Sequence, residues 1–321
     1  MNRPPLRTMS RAAAGAVVGR LPVALADLLR RPVPPGGSGV VRRALLRALL
    51  RALREGGIPR GVSTFRLVDD PDLTFVAADS LVLDQLYWYG EQGWEPELLP
   101  WWRSFCRRAG SVLELGANVG WFTVQAQRAA PGVHHVAVEP HPFSARICRA
   151  NLALNGVDSV QVVEAAAVAD SAVSSVRLFV PADQQATPTV AFLPGGNELP
   201  PSMARDARAG PQVPAVGVRS LLAGADVVKM DVEGQEHTLL AAGLDLLRES
   251  RPTLFVEVLP GTPKLRALLA VLCREDGYRC YAPTPERLVP LDPARLAHVR
   301  LQEEFGGQDL VLTAAADLPA P

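Results

Sequence analysis

The stretch from Ser111 to Gly120, Ser-Val-Leu-Glu-Leu-Gly-Ala-Asn-Val-Gly, restricts the possible folds more than any other part of the chain. The apolar run Val112 to Leu115 predicts a short strand, Gly116 and Gly120 predict a tight turn, and the segment from Val119 to about Ala129 predicts a helix. A strand, a glycine turn and a helix in that order point to α/β architecture. Glycine suits such a turn because it reaches positive φ and lets backbone N–H groups approach a ligand at the helix N-terminus. The turn is therefore a candidate small-molecule cradle, with a purely structural turn as the plain alternative.

The spacing departs from the G-x-G-x-x-G pattern of dinucleotide sites: Asn118 stands at the middle glycine position, and Glu114 lies two residues before the first glycine. A carboxylate there would repel a pyrophosphate but would suit a ligand with an ammonium group, such as S-adenosylmethionine. A nicotinamide enzyme is disfavoured for the same reason.

Downstream the alternation continues. Strands are predicted at His135 to Val138, Val160 to Glu164, Val176 to Val180, Asp226 to Met230, Thr253 to Val258 and Asp309 to Thr313. Helices are predicted at Ser144 to Leu154, from the Asp231 segment through about Leu247, and at Lys264 to Glu275. This order implies a mostly parallel sheet with helices on both faces, whose ligands sit beyond the carboxyl ends of the strands. Glu114, Glu139, Asp231 and Glu257 all fall at or near such ends. Glu139 follows Glu114 by 25 residues, near the distance at which an acid after the second strand grips a ribose hydroxyl pair. In the run Ala165 to Asp170, the small residues Ala166 and Ala167 would let an adenine ring lie flat against the backbone.

Three segments break the pattern. Residues 181–215 carry seven prolines and no sustained periodicity, and predict a loop or lid within the domain. Ahead of the organising strand, Ser63 to Val68 and Leu73 to Ala77 predict two strands about an Asp69-Asp70-Pro71-Asp72 turn. They are followed by an aromatic-rich segment containing Trp88, Trp94, Trp101 and Trp102, which reads either as a helical lid or as a wall of the ligand pocket. Residues 1–60 hold twelve arginines against two acids, so the remainder of this formally neutral chain carries a matching negative excess. Within them a Pro/Gly-rich linker is expected at 32–39, and Val40 to Glu55 predicts an amphipathic helix with Arg43, Arg47 and Arg51 on one face. Such a helix could lie on a membrane surface or on nucleic acid; packing of its leucines on its own domain is the commoner outcome. The expected division is a basic segment over 1–60, a lead-in of strands and aromatic lid over 61–108, and a main domain over 109–316 with an insertion at 181–215.

The four cysteines lack C-x-x-C spacing, which argues against a zinc site, an iron–sulfur cluster and a radical mechanism. No apolar run reaches the ~18 residues that span a bilayer, and a cytoplasmic location is the expectation.

Taken together, Glu114-Leu115-Gly116-Ala117-Asn118-Val119-Gly120-Trp121-Phe122-Thr123, Glu139-Pro140 with Asn155, Lys229-Met230-Asp231-Val232-Glu233-Gly234-Gln235-Glu236, and Glu257 resemble the FkbM family of S-adenosylmethionine-dependent methyltransferases. The resemblance runs from about Asp84 through Ala315, with Gly93-Trp94-Glu95-Pro96-Glu97 also family-like. It implies a class I methyltransferase fold, a Rossmann-like α/β sheet of seven strands with the last one antiparallel. It also implies O-methylation of a hydroxyl on a sugar, polyketide or other secondary metabolite. Glu114, Gly116, Asn118, Gly120, Glu139, Ala166, Ala167 and Asp231 are then the expected cofactor-binding residues.

Methyl transfer to a hydroxyl is an in-line displacement, and an alcohol attacks poorly until it loses its proton, so a base or a metal is useful. Asp231, at a strand end facing the crevice, is the first choice as base, and His237 is a second. Glu233, Glu236 and Glu257 could share the proton or hold a divalent cation, whereas Glu236 and His237 could instead be solvated residues of a helix's first turn. A small-molecule hydroxyl acceptor is expected. The rivals are a nucleic-acid methyltransferase using the basic leader, and a non-catalytic scaffold of the same fold. The Asp-Val-Glu-Gly loop is unlike the Asn/Asp-Pro-Pro-Tyr type of many base-amino methyltransferases.

Overall fold

The structure, a computed structural model, describes residues 18–30, 57–181, 188, 191, 193 and 207–321. The helix expected over 40–55, the linker at 32–39 and most of the 181–215 insertion lie outside them. The chain divides into two units, one ending at Trp94 and the other beginning at Glu95.

In the first unit, α1 (Val23–Arg30) and α2 (Leu81–Tyr89) accompany the short antiparallel pair β1 (Thr64–Arg66) and β2 (Thr74–Val76). The expected Asp69–Asp72 turn joins the strands, with Leu73 N donating to Asp70 O. Phe65 and Phe75 are cross-strand partners and both are buried. The Arg30 guanidinium stacks 4.0 Å from the Tyr87 ring centroid, a cation–π contact, and donates to Tyr87 O. Ser80 caps α2 by accepting from Leu83 N, and the Trp88 indole donates to Gly57 O at 2.9 Å.

The second unit holds α3 (Leu99–Cys106), β3 (Ser111–Leu115), α4 (Trp121–Ala129), β4 (His134–Val138), α5 (Pro142–Leu154) and β5 (Val160–Val163). After these come β6 (Ala166–Val168), β7 (Ser175–Pro181), β8 (Ala207–Gly217), α6 (Val218–Leu222), β9 (Val227–Met230), α7 (Glu236–Ala242) and α8 (Leu244–Ser250). The chain closes with β10 (Thr253–Glu257), α9 (Pro263–Glu275), β11 (Arg279–Pro283), β12 (Leu288–Leu291), α10 (Leu301–Phe305) and β13 (Asp309–Thr313).

The central sheet has eight strands in the order β12-β11-β13-β10-β9-β3-β4-β5. Strands β10, β9, β3, β4 and β5 are parallel to one another, and β13 runs antiparallel between β10 and β11. Six of the strands read from the sequence, β3, β4, β5, β9, β10 and β13, lie in this sheet, whereas Val176 to Val180 falls in β7 of a separate sheet; β11 brings the number to the seven that the resemblance implies, and β12 is an additional edge strand paired antiparallel to β11. The β11/β12 hairpin was not foreseen, because its two short strands hold Pro283 and Pro290 and a single β-branched residue, Val289, and so lack the pattern by which strands are recognised.

Parallel strands are buried on both faces, which is why β3, β9 and β10 are nearly uninterrupted apolar runs. One face presents Leu113, Leu115, Val228, Met230, Leu254 and Val256 to a main core completed by residues of α6, α7, α8 and α9. On the other, Glu114, Lys229 and Phe255 stand in register beneath α3 and α4. There Trp102 meets Phe255 and Phe122 edge to face, at 5.3 and 6.0 Å between ring centroids. Its indole donates to Phe122 O at 2.8 Å, and Trp101 donates to Thr284 O. Trp101 and Trp102 therefore anchor α3 to the sheet face, and the reading of these two residues as a pocket wall is corrected.

Three further expectations change. Within the supposed loop, residues 207–217 form β8, which pairs antiparallel with β7 and parallel with β6. Proline is tolerated because Pro211 sits where the β7/β8 register shifts, between the Gln212 and Ala209 pairings. Ala166 and Ala167 belong to β6, and their methyls are buried, Ala166 with Leu178 and Val213 and Ala167 in the main core. Close packing accounts for these small residues, not an adenine face. The helix expected through Leu247 is broken at Gly243, where a Cβ would lie 2.3 Å from Leu222 Cδ1. Among the described residues no helix is long and apolar enough to cross a membrane.

Candidate active site

The glycine turn follows β3 as expected, and its geometry explains its residues. Gly116 has φ 88°, and a Cβ there would lie 1.8 Å from the carbonyl oxygen of Asp231. Only glycine lets the end of β3 and the end of β9 come so close. The approach is sealed by Asp231 N donating to Leu115 O at 3.0 Å, and by Gly116 N and Ala117 N donating to Val138 O. Gly120, at φ 82°, precedes α4; a Cβ would meet Cys148 Sγ at 2.7 Å, so this glycine also lets α4 pack on α5. Asn118 takes φ 47°, the left-handed region that asparagine tolerates. Its backbone N–H donates to Glu139 Oε2 at 2.8 Å and its side-chain nitrogen to Pro188 O, while its Oδ1 is buried with no hydrogen-bond partner among the described residues.

Glu139, at the end of β4, is thus brought against the turn. Its second oxygen accepts from His141 N at 2.8 Å. A carboxylate offers about four lone-pair positions, so two backbone donors leave acceptor capacity on both oxygens. Burial raises its pKa to about 7, against the two N–H donors that favour the charge.

Glu114 behaves differently. Its carboxylate accepts from Thr123 Oγ1 at 2.7 Å and lies 3.4 Å from His135 Nε2, with all three residues buried. Through Oε2 it ties β3 to α4 beneath the helix. An acid inside an apolar strand is buried by the sheet, and takes the nearest hydroxyl as partner.

The loop after β9 turns sharply, with Glu233 at φ 53° and Gly234 at φ 89°. Glu236 closes it: its Oε1 accepts from Val232 N at 2.9 Å and Gly234 N at 3.3 Å. It is 1% exposed, with burial lifting its pKa to about 7, so the solvated first-turn reading fails for this residue. Asp231, Glu233 and Glu257 converge, each offering a carboxylate oxygen, with those atoms within 4.8 Å of one another. His237 lies outside this cluster; it is half-buried on α7, and its Nδ1 is buried without a hydrogen bond. Burial first, and then repulsion from neighbouring carboxylates, hold Glu233 and Glu257 well above the usual carboxyl range. Each keeps a buried Oε2 without a hydrogen-bond partner.

Sequence reasoning passed over Lys229 and Glu95 as site residues. Lys229 is 2% exposed; its Nζ lies 2.7 Å from Asp231 Oδ2, 3.8 Å from Glu95 Oε2 and 4.7 Å from the Phe122 ring centroid. Burial opposes its charge, but Asp231, Glu95 and Asp309 outweigh it and keep the ammonium well above its ordinary pKa. The available signal was a lysine inside Val227-Val228-Lys229-Met230, since a charge in a fully buried strand requires a partner.

These carboxyls make stability depend on pH. Glu139, Glu236 and Asp309 hold their protons to about pH 7 in the fold, against ordinary values of 4.5, 4.5 and 3.8. Between those limits the folded state binds more protons than the unfolded one, so their contribution is fully present below about pH 4 and is lost as pH rises through about 7. The ligand-free protein should melt at a higher temperature at about pH 5.5 than at about pH 8. A scan that rises steadily toward pH 8 would mean that these carboxyls are ionised in the fold.

No match to this chain was found among curated proteins. Among solved structures it resembles an FkbM methyltransferase from Methylobacillus flagellatus KT, at 16% identity and TM-score 0.39, over 73% of this chain and 55% of that one. An O-methyltransferase from Bacillus cereus in complex with SAH matches at 13% identity and TM-score 0.37, over 68% of this chain and 79% of that one. TomG, an O-methyltransferase from Streptomyces achromogenes, matches at 16% and 0.34, over 69% and 80%. The family assignment rests on sequence: residues 114–280, more than half of the chain, match the methyltransferase FkbM domain. That span begins at Glu114 on β3 and ends on β11, and so takes in the glycine turn, Glu139 and the carboxylate cluster. The chain belongs to the FkbM family of S-adenosylmethionine-dependent methyltransferases.

Proposed function

We propose that this methyltransferase transfers the methyl group of S-adenosylmethionine to a hydroxyl of a small molecule, with Asp231 as the base. The observation that carries this reading is the packing of Asp231 on Gly116, with Glu139 bonded to Asn118 in the same turn. Cofactor cradle and candidate base thereby share one rim of the sheet, beyond the carboxyl ends of β3, β4 and β9.

The residues of the turn fit the cofactor. The free lone pairs of Glu139 suit a pair of ribose hydroxyls, and the buried, unpartnered Asn118 Oδ1 suits an ammonium donor. When bound, the cofactor supplies an electrophilic methyl on a sulfonium. Asp231 accepts the proton of the acceptor hydroxyl as that oxygen attacks, which removes the barrier set by a neutral alcohol. Holding the oxygen in line with the methyl is the larger task, and it falls to the rigid rim on which these groups are mounted. His237 remains the second candidate base.

A second reading is favoured by the convergence of Asp231, Glu233 and Glu257, whose carboxylate oxygens, two of them the unpartnered Oε2 atoms of Glu233 and Glu257, match the donor type of a magnesium-like cation. Such an ion would lower the pKa of the acceptor hydroxyl.

The function is tested by incubating the purified chain with methyl-labelled S-adenosylmethionine and a cell extract containing both small metabolites and nucleic acids, and identifying the labelled product by mass spectrometry. Label in a small molecule's hydroxyl supports the reading; label in RNA or DNA overturns it in favour of the nucleic-acid rival. Loss of transfer on chelation, restored by Mg²⁺, would select the cation-assisted form.

Glu139→Ala should weaken cofactor binding by about 1–3 kcal/mol, the range for hydrogen bonds to a charged group. Calorimetry showing unchanged affinity would remove Glu139 from the cofactor site.

A further inference from the structure

Asp231 and Lys229 are two residues apart at the end of β9, and their contact needs explanation. An alternating strand would place both side chains on one face, where Glu114 and Phe255 lie beside Lys229 in register. A lysine buried there under α3 and α4 could have been replaced by an apolar residue at little cost to the fold, since buried ion pairs are often no more stabilising than apolar packing. Here the ammonium reaches past the Phe122 ring to Asp231 Oδ2 at 2.7 Å. Glu95 stands 3.8 Å from the same nitrogen, at φ 44°, a strained backbone that brings its carboxylate inward. Asp231 and Glu95 are almost equally accessible, their side chains 23% and 22% exposed against 2% for Lys229, but the Glu95 oxygen nearest the ammonium is buried, and only Asp231 both hydrogen-bonds Lys229 and packs its backbone on the glycine turn. Asp231 is therefore the carboxylate placed beside the cofactor turn, and the buried cation behind it is the group that can hold it.

We propose that Lys229, anchored by Glu95, is a positioning residue: it fixes one oxygen of Asp231 so that the other is presented to the acceptor hydroxyl in a single orientation. This rests on the reading of Asp231 as the base. The lysine touches neither cofactor nor acceptor; it acts through Asp231. Glu95 contributes by balancing the ammonium from the far side, so that Lys229 is not drawn wholly onto Asp231.

The test is a double-mutant cycle on the full-length chain, read by single-turnover methyl transfer with labelled S-adenosylmethionine, with cofactor affinity and melting temperature as controls. Lys229→Met should lower the transfer rate about 10- to 100-fold, the scale of a misplacement of about 1 Å, while leaving the cofactor Kd within about threefold. Lys229→Arg, which keeps the charge, should recover part of that loss. In an Asp231→Asn background the same Lys229→Met change should cost less than about threefold, because a residue acting through Asp231 has nothing left to position. An equal cost in both backgrounds, or no cost in the first, overturns the proposal while leaving Asp231 as base. Wild-type turnover by Asp231→Asn alone overturns the underlying reading instead. Should Lys229→Met fail to fold, Glu95→Gln runs the same cycle, with a loss of several-fold expected in the Asp231 background and none in the Asp231→Asn background.

Discussion

Asp231→Asn will lower methyl transfer by about 10²- to 10⁴-fold, the usual contribution of a positioned base, while leaving cofactor affinity within a few fold. The substitution is nearly isosteric and removes the charge and the proton-accepting oxygen together. The backbone of Asp231, which packs on Gly116 and bonds Leu115, is untouched, so the cofactor turn keeps its shape. Lys229 loses its charged partner at 2.7 Å but retains Glu95 at 3.8 Å, so the buried ammonium is not stranded. Single-turnover rates with saturating acceptor, alongside calorimetric Kd values, separate the two effects. Turnover within about twofold of wild type would remove Asp231 from the mechanism and direct attention to His237 or to a bound cation.

Trp102→Ala will destabilise the chain by about 3–5 kcal/mol, the range for deleting a buried large aromatic side chain. Trp102 is fully buried and touches Phe122 on α4 and Phe255 on β10, so its loss opens a cavity between α3 and the sheet. It also removes the indole hydrogen bond to Phe122 O, a net contribution of about 1 kcal/mol, although that carbonyl keeps its place in the α4 ladder. Urea denaturation should show a lower midpoint with an unchanged slope. Trp102→Phe should cost less, since it keeps a ring at the site. A loss below about 1 kcal/mol for the alanine variant would mean that the α3 face repacks freely. Much of a domain's net stability is of this size, so the alanine variant is expected to express poorly at 37 °C-like temperatures.

Much of the architecture was visible in residues close together along the chain. The strand, glycine turn and helix from Ser111 to Ala129 are dictated by an apolar run, by residues that accept positive φ and by helical periodicity, all local properties. The alternation of strands and helices specified the parallel sheet, and the strand-end rule placed Glu139 against the turn, where it bonds Asn118. Proline hid both β8 and the β11/β12 hairpin, because at an edge or a register shift a missing N–H costs little, and a pattern search cannot tell such positions from loops.

The acids divide the two kinds of information most clearly. Glu114, Asp231 and Glu236 look alike in sequence, each near a turn at the carboxyl side of a strand. In the fold Glu114 bonds Thr123 beneath α4, Glu236 closes the loop after β9, and Asp231 meets Lys229 with its side chain partly open to solvent. Local pattern determined that carboxylates would gather beyond the strand ends, because strand direction and turn chemistry are written into neighbouring residues. Which of them is buried as a tie and which is held by a buried lysine and left partly open was decided only in three dimensions. A carboxyl's protonation and reach depend on its desolvation and its partners, and those partners come from Glu95, Phe122, Glu257 and Asp309, brought together only when the sheet closes.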